Sequence, residues 1–177
     1  FVNKKIAVRF LELLDKNPSN TKILFIPTAS RHEDELKYVR ESENELILLG
    51  ILKEKIVWLD INKIEDIGES EDYDAVYVCG GNTFYLMKKL VDTGLDKKLI
   101  EMVNIGKVYV GVSAGSIIVG PDISVASPFD ENDVGLQSMA GLGLTEKIIT
   151  PHYQIKEKQI IDDFKIHKKA KKLPSVL

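Results

Sequence analysis

Val108-Tyr-Val-Gly-Val-Ser-Ala-Gly-Ser-Ile-Ile-Val119 is the stretch on which the reading of this chain turns. It has the form of a buried strand (Val108 to Val110), a sharp turn and the start of a helix. Gly111-Val112-Ser113-Ala114-Gly115 fills the pattern G-x-S-x-G of a nucleophile elbow. A nucleophile at a strand-to-helix turn sits on a strained backbone, so its neighbours must be small. Glycines on either side let the strand and the helix approach closely. A helix beginning just after the serine would point free N–H groups at the site and favour developing negative charge. Ser113 is therefore the first candidate nucleophile. The five-residue pattern also fits an ordinary glycine-rich βα turn, so its weight depends on what surrounds it.

Working outward, short apolar runs alternate with amphipathic stretches. Upstream lie Lys22 to Ile26, Glu54 to Leu59 and Ala75 to Cys79, each read as a strand. Between and before them, Phe1 to Asp15, Asp34 to Leu49, Thr83 to Thr93 and Leu95 to Asn104 carry helical spacing, and Gly50, Gly94 and Gly106 supply C-terminal stops. Lys63 to Asp72 is polar and suits a short helix. Pro121 to Gly143 lacks periodicity and is read as loops with short strand pieces. Lys147 to Tyr153 has the pattern of a strand that ends at a loop, and Glu157 to Lys172 that of a final helix. The alternation predicts a three-layer α/β architecture, a mostly parallel sheet with helices on both faces. Ligands in such sheets bind beyond the carboxyl ends of the strands. Gly80-Gly81-Asn82, Ser113 and Pro151-His152-Tyr153 all fall at such ends.

Composition narrows the chemistry. The 177 residues suit one domain with one substantial core. Net charge is −3, which argues against a nucleic-acid binder. The lysines at 165, 168, 169, 171 and 172 read as a solvated helix face. A single cysteine, Cys79, excludes an internal disulfide and any multi-cysteine metal site. It lies in an apolar run, as a buried small hydrophobe would. No run approaches the roughly 20 apolar residues that span a bilayer, and a cytoplasmic location is the expectation. The oligomeric state is not legible.

A serine nucleophile needs a base at neutral pH. Of three histidines, His32 lies in a charged loop or helix start and His167 in the lysine-rich terminal helix. His152, after a strand and beside Pro151, is the best candidate. A carboxylate usually orients such a base. Asp122, Asp130, Glu131, Asp133 and Glu146 lie between the two, and spacing does not choose among them. The oxyanion donors are expected at Ala114 and in the Gly80-Gly81 turn. Gly80-Gly81 also suits a tight turn before a helix with Asn82 or Thr83 as N-cap, and both roles can hold together.

Gly80-Gly81-Asn82-Thr83-Phe84, then Gly111 to Ser116, then Pro151-His152-Tyr153 resemble the dipeptidase E (aspartyl dipeptidase) and cyanophycinase family of serine peptidases. The likeness is ordered and runs from Ile23 to the final helix. It implies a class I glutamine-amidotransferase-like fold, with Ser113 as nucleophile, His152 as base, and oxyanion and substrate binding at Gly80, Gly81, Asn82 and Ala114. It implies Asp130 as the third member, by position before the histidine. A glutamate beyond the last helix has been proposed for the same role in the family, in a segment past Leu177. The family's first strand precedes Phe1, so a single catalytic domain without its first strand and C-terminal segment is the expectation. The resemblance implies hydrolysis of short peptides without a metal or organic cofactor, some with an N-terminal aspartate, for which Arg31 is a candidate cation. The alternatives are an inactive relative that binds a small metabolite in the same pocket and a cysteine-dependent amidotransferase, the latter disfavoured by serine at position 113.

Overall fold

The computed structural model describes residues 4–59, 61, 68–152, 158 and 162. In chain order these form α1 (Lys4–Leu14), β1 (Ile23–Ile26), α2 (Glu33–Leu48), β2 (Ile56–Trp58), β3 (Ala75–Val78), α3 (Thr83–Thr93), α4 (Leu95–Asn104), β4 (Val108–Gly111) and α5 (Ala114–Ile117). The four strands pair in the order β2-β1-β3-β4, all parallel. Tyr153, the body of the expected terminal helix with His167, and residues 62–67 of the polar stretch lie outside the described residues.

The period-2 geometry of the strands sorts the core into two layers. Leu24, Ile26, Val76 and Val78 point to one face, where they meet Phe84, Leu90, Leu99, Met102 and Ile118. Ile23, Phe25, Ala75 and Tyr77 point to the other, where Phe10 and Leu14 of α1 and Val39 and Leu46 of α2 cover them. Every residue of β1 and β3 is buried, as a strand packed on both faces requires. On the α1/α2 side, register sets Trp58, Phe25 and Tyr77 in one row. Phe25 stacks on Tyr77 at 5.3 Å between centroids and meets Trp58 at 5.0 Å. Truncating Phe25, fully buried at the centre of this row, would cost about 3–5 kcal/mol.

The helix ends follow local chemistry. Asn82 caps α3, its side chain accepting the Tyr85 N–H at 2.8 Å, and Gly94 closes the helix in the left-handed region. At α2, the Glu35 carboxylate reaches back to accept the N–H groups of Arg31 at 2.6 Å and His32 at 3.2 Å. At the opposite end of the sheet Asp74, just before β3, binds the Lys16 ammonium in the segment after α1 and the Lys22 amide just before β1, each at 2.8 Å.

One expectation needs correction. Lys147–Thr150 is not a fifth strand among the described residues: Ile148 is buried and carries one isolated bridge, and the residues around it are irregular. The helix expected after the elbow is present as a single turn. Its continuation is pre-empted by tertiary contacts. The Ile118 carbonyl accepts Leu142 N–H at 2.7 Å and the Val119 carbonyl accepts Leu144 N–H at 2.9 Å. Gly120-Pro121 then turns the chain away.

Parallel order β2-β1-β3-β4 places the change in winding direction between β1 and β3. A crevice opens there beyond the carboxyl ends of the strands, flanked by the segments after β1 (Pro27 to Arg31), after β3 (Cys79 to Asn82) and after β4 (Val112, Ser113).

Candidate active site

Ser113 sits at the end of β4 with φ 49° and ψ −112°, a left-handed backbone that a non-glycine residue rarely adopts. Such strain persists only where the surroundings over-determine it. Here the surroundings are backbone. A Cβ on Gly111 would collide with the Gly115 carbonyl, and one on Gly115 with the Val78 carbonyl of β3. The two glycines thus let the elbow close on itself and on the neighbouring strand. Gly81, at φ +135°, is held equally tightly, since a Cβ there would strike the Ala29 carbonyl. The turn is fixed from below by Ser30, whose hydroxyl donates to the Gly80 carbonyl at 2.7 Å, and by Asn82 N–H on Ala29 O at 2.9 Å. Built on the Gly80 backbone, a Cβ would stand 3.0 Å from the Ser113 Cβ, so turn and elbow abut.

The N–H groups of Gly80, Gly81 and Ala114 find no acceptor among the described residues. Of these, Gly80 abuts Ser113 and Ala114 follows it directly in the chain.

A cavity of about 620 Å³ runs from Ser113 and the Gly80-Gly81 turn to the first half of α2. His152 and Asp130 line it with Ser113, and Asn82 and Arg31 border it. A second pocket of about 190 Å³ opens off the same place, again shared by Ser113, His152 and Asp130, over Ile117, Val125 and Ala126. The Thr150 hydroxyl in this pocket is buried, with no partner among the described residues. His152 is exposed and its backbone is left-handed, φ 61°. No hydrogen bond joins it to Ser113 among the described residues.

The five carboxylates between Ser113 and His152 separate by position. Asp122 is turned inward on Ser124, and Asp133 binds Arg31 at 2.7 Å. Glu146 lines neither cavity, and Glu131 lines only the larger one. Asp130 borders both. One of its oxygens, Oδ2, accepts Thr83 N–H at the start of α3 at 2.8 Å, a contact the sequence does not announce. Asn82 acts as the N-cap, and its amide also donates to the Glu131 carbonyl at 2.8 Å. The start of α3 thus fastens residues 130 and 131 to the cavity wall.

Arg31 is not a free surface cation. Its guanidinium binds Asp133 and lies 4.8 Å above the Tyr85 ring. His32 lines the larger cavity from the start of α2. Cys79 forms part of the same cavity floor but is 2% exposed, and burial pushes its thiol far above the usual cysteine range. It behaves as the small hydrophobe its sequence neighbourhood predicts. Burial likewise raises the Tyr77 phenol to about 12. Among the described residues no helix is long and apolar enough to cross a membrane.

The fold and site define a three-layer α/β protein with a strained, glycine-flanked serine at the carboxyl edge of a parallel sheet. Comparison with known proteins carries this further. The model of peptidase family S51 matches residues 2–174, and the chain belongs to that family; it is a peptidase, and serine type fits the family. An uncharacterized peptidase of Listeria monocytogenes is 36% identical over 156 residues, covering 85% of this chain and 74% of the relative. Peptidase E of Streptomyces coelicolor is 31% identical over 140 residues, 77% of this chain; the chain spans about half (53%) of that relative's length. The crystal structure of a candidate Peptidase E protein from Listeria monocytogenes superimposes with a TM-score of 0.76 at 34% identity, covering 91% of this chain and 81% of that one.

Proposed function

We propose that the chain is a serine peptidase acting on short peptides, with Ser113 as nucleophile, His152 as general base and Asp130 as the orienting carboxylate. The observation that carries this reading is the strained Ser113 backbone beside three unspent amides, on a cavity wall shared with His152 and Asp130. Ser113 Oγ attacks the scissile carbonyl while His152 takes its proton. The oxyanion is met by the N–H groups of Ala114 and the Gly80-Gly81 turn. The C–N bond then breaks, the amine leaves with the proton from His152, and water hydrolyses the ester by the same route in reverse. Asp130 Oδ2 is held by Thr83, which leaves Oδ1 to meet an imidazole N–H. No step calls for a metal ion.

The finer proposal is a preference for dipeptides with an N-terminal aspartate. Arg31 borders the cavity and is its candidate cation, although it already faces Asp133. A fluorophosphonate probe should label Ser113 in the wild type, and Ser113→Ala should abolish both labelling and peptide turnover. A panel of Asp-X, Asn-X and β-linked dipeptides then reads the substrate class. Turnover that survives in Ser113→Ala rules out the serine mechanism. A wild type that neither labels nor turns over any peptide, yet gains thermal stability from a small metabolite, supports the inactive binding relative instead.

A further inference from the structure

Two hydroxyls touch the elbow from beneath, and the reaction scheme above uses neither. Tyr109 Oη, on β4, donates to the Gly115 carbonyl at 2.7 Å. Ser116 Oγ, in α5, donates to the Ser113 carbonyl at 2.6 Å. The backbone joins them. The Gly115 carbonyl shares a peptide unit with the Ser116 N–H, which donates to the Ser113 carbonyl at 2.8 Å. The Ser113 carbonyl in turn shares a peptide unit with the Ala114 N–H. A planar trans peptide points its C=O and N–H in opposite directions. With the Ser113 carbonyl held into α5 by Ser116 and by Ile117 N–H at 3.1 Å, the Ala114 N–H must point out of the helix's first turn, towards the nucleophile's side.

We propose that Tyr109 and Ser116 are positioning residues that fix and polarise the Ala114 N–H as an oxyanion donor through this hydrogen-bond chain. The inference rests on the serine reading of Ser113. Its physical basis is that hydrogen bonds in series polarise one another. A carbonyl that accepts more strongly leaves its own peptide N–H a better donor. The chain runs Tyr109 O–H to Gly115 C=O, Ser116 N–H to Ser113 C=O, then Ala114 N–H. Ser116 Oγ adds a parallel donor at the middle carbonyl. Without an extended helix behind it, α5 offers little dipole of its own, so these side-chain donors take over the task of a longer helix. They also help hold the left-handed Ser113 backbone. Desolvation raises the Tyr109 phenol well above the ordinary tyrosine range, so it remains a neutral donor throughout the neutral and mildly alkaline range.

The effect is graded. One oxyanion donor is worth roughly 10²–10³ in kcat, and each link strengthens a chain by roughly 10–30%. Loss of either hydroxyl should therefore slow chemistry by about two- to eightfold. Tyr109→Phe, Ser116→Ala and Ser116→Thr are compared with the wild type at a temperature where thermal unfolding shows each to be fully folded. The readouts are the acylation rate of Ser113 by a fluorophosphonate and the kcat and KM for a turned-over dipeptide. Tyr109→Phe and Ser116→Ala should acylate two- to eightfold more slowly, with kcat reduced and KM unchanged, and Ser116→Thr should recover the wild-type rate. A change in melting temperature with an unaltered acylation rate would overturn the proposal, as would a loss confined to KM. If Tyr109→Phe does not fold, Ser116→Ala with its threonine rescue decides alone. A wild type that is not labelled at Ser113 removes the serine reading itself; a labelled wild type with unchanged variants removes only the chain.

Discussion

Asp130 has one observed contact and one proposed role, and one substitution separates them. Its Oδ2 accepts Thr83 N–H at 2.8 Å at the start of α3, and its carboxylate borders both pockets that contain Ser113 and His152. Asparagine in its place keeps an acceptor oxygen for Thr83 but loses the negative charge. For the helix, the lost charge at an N-terminus is worth about 0.3–1 kcal/mol. A domain of this size loses roughly 2–4 °C per kcal/mol, so the melting temperature of Asp130→Asn should fall by about 1–4 °C. For the reaction, an amide in place of the orienting carboxylate holds the wrong imidazole tautomer and leaves the imidazolium unsupported. In a triad that costs up to about 10⁴ in kcat. We expect a loss of about 10²–10⁴, or roughly 2.7–5.5 kcal/mol of transition-state stabilisation. The two effects differ enough that thermal unfolding and steady-state turnover on the same preparation separate them. A fall in kcat of less than about tenfold, with the small thermal shift intact, would show that Asp130 merely anchors α3 and that the orienting acid lies elsewhere.

Other consequences can be checked alongside. Gly81→Ala must place a Cβ against the Ala29 carbonyl at φ +135°; it should cost at least about 2 kcal/mol, and an unchanged unfolding midpoint would contradict the tight turn. For Asp74, burial alone would raise the carboxyl, but the Lys16 ammonium and Lys22 amide outweigh it and hold the group below its ordinary value of 3.8. A depressed carboxylate stabilises the fold above its unfolded value and loses that contribution as pH falls through the folded one. Asp74→Asn should therefore cost about 1 kcal/mol at neutral pH, and the gap from the wild type should close in denaturant titrations taken below pH 3.8.

Much of this molecule is written in local pattern. The continuous apolar runs at β1 and β3 read as strands packed on both faces, which they are, and α3 and α4 begin and end where Asn82, Gly94 and Gly106 direct. The elbow glycines were legible for a local reason too: a strand that turns sharply into a helix beside its neighbour admits no Cβ at Gly111 or Gly115. Local pattern leaves open the length of elements whose ends depend on remote partners. The run after Ser113 has helical residues, and it stops after one turn where Leu142 and Leu144 take the next carbonyls. Ile148 has the apolar neighbourhood of a strand, but an irregular segment that enters the core carries the same signature.

The order of residues by itself determined the alternating α/β architecture, the elbow and the short list of histidines and carboxylates, because backbone propensity, hydrophobic period and glycine geometry act over a few positions. Only the tertiary structure decided which carboxylate borders both pockets, that Arg31 is engaged by Asp133 and Tyr85, and that Tyr109 lies under the Gly115 carbonyl. The first two are contacts between segments far apart in the chain, and the last, six positions apart, depends on how sharply β4 turns into α5. They depend on register and winding direction, which short-range pattern does not encode.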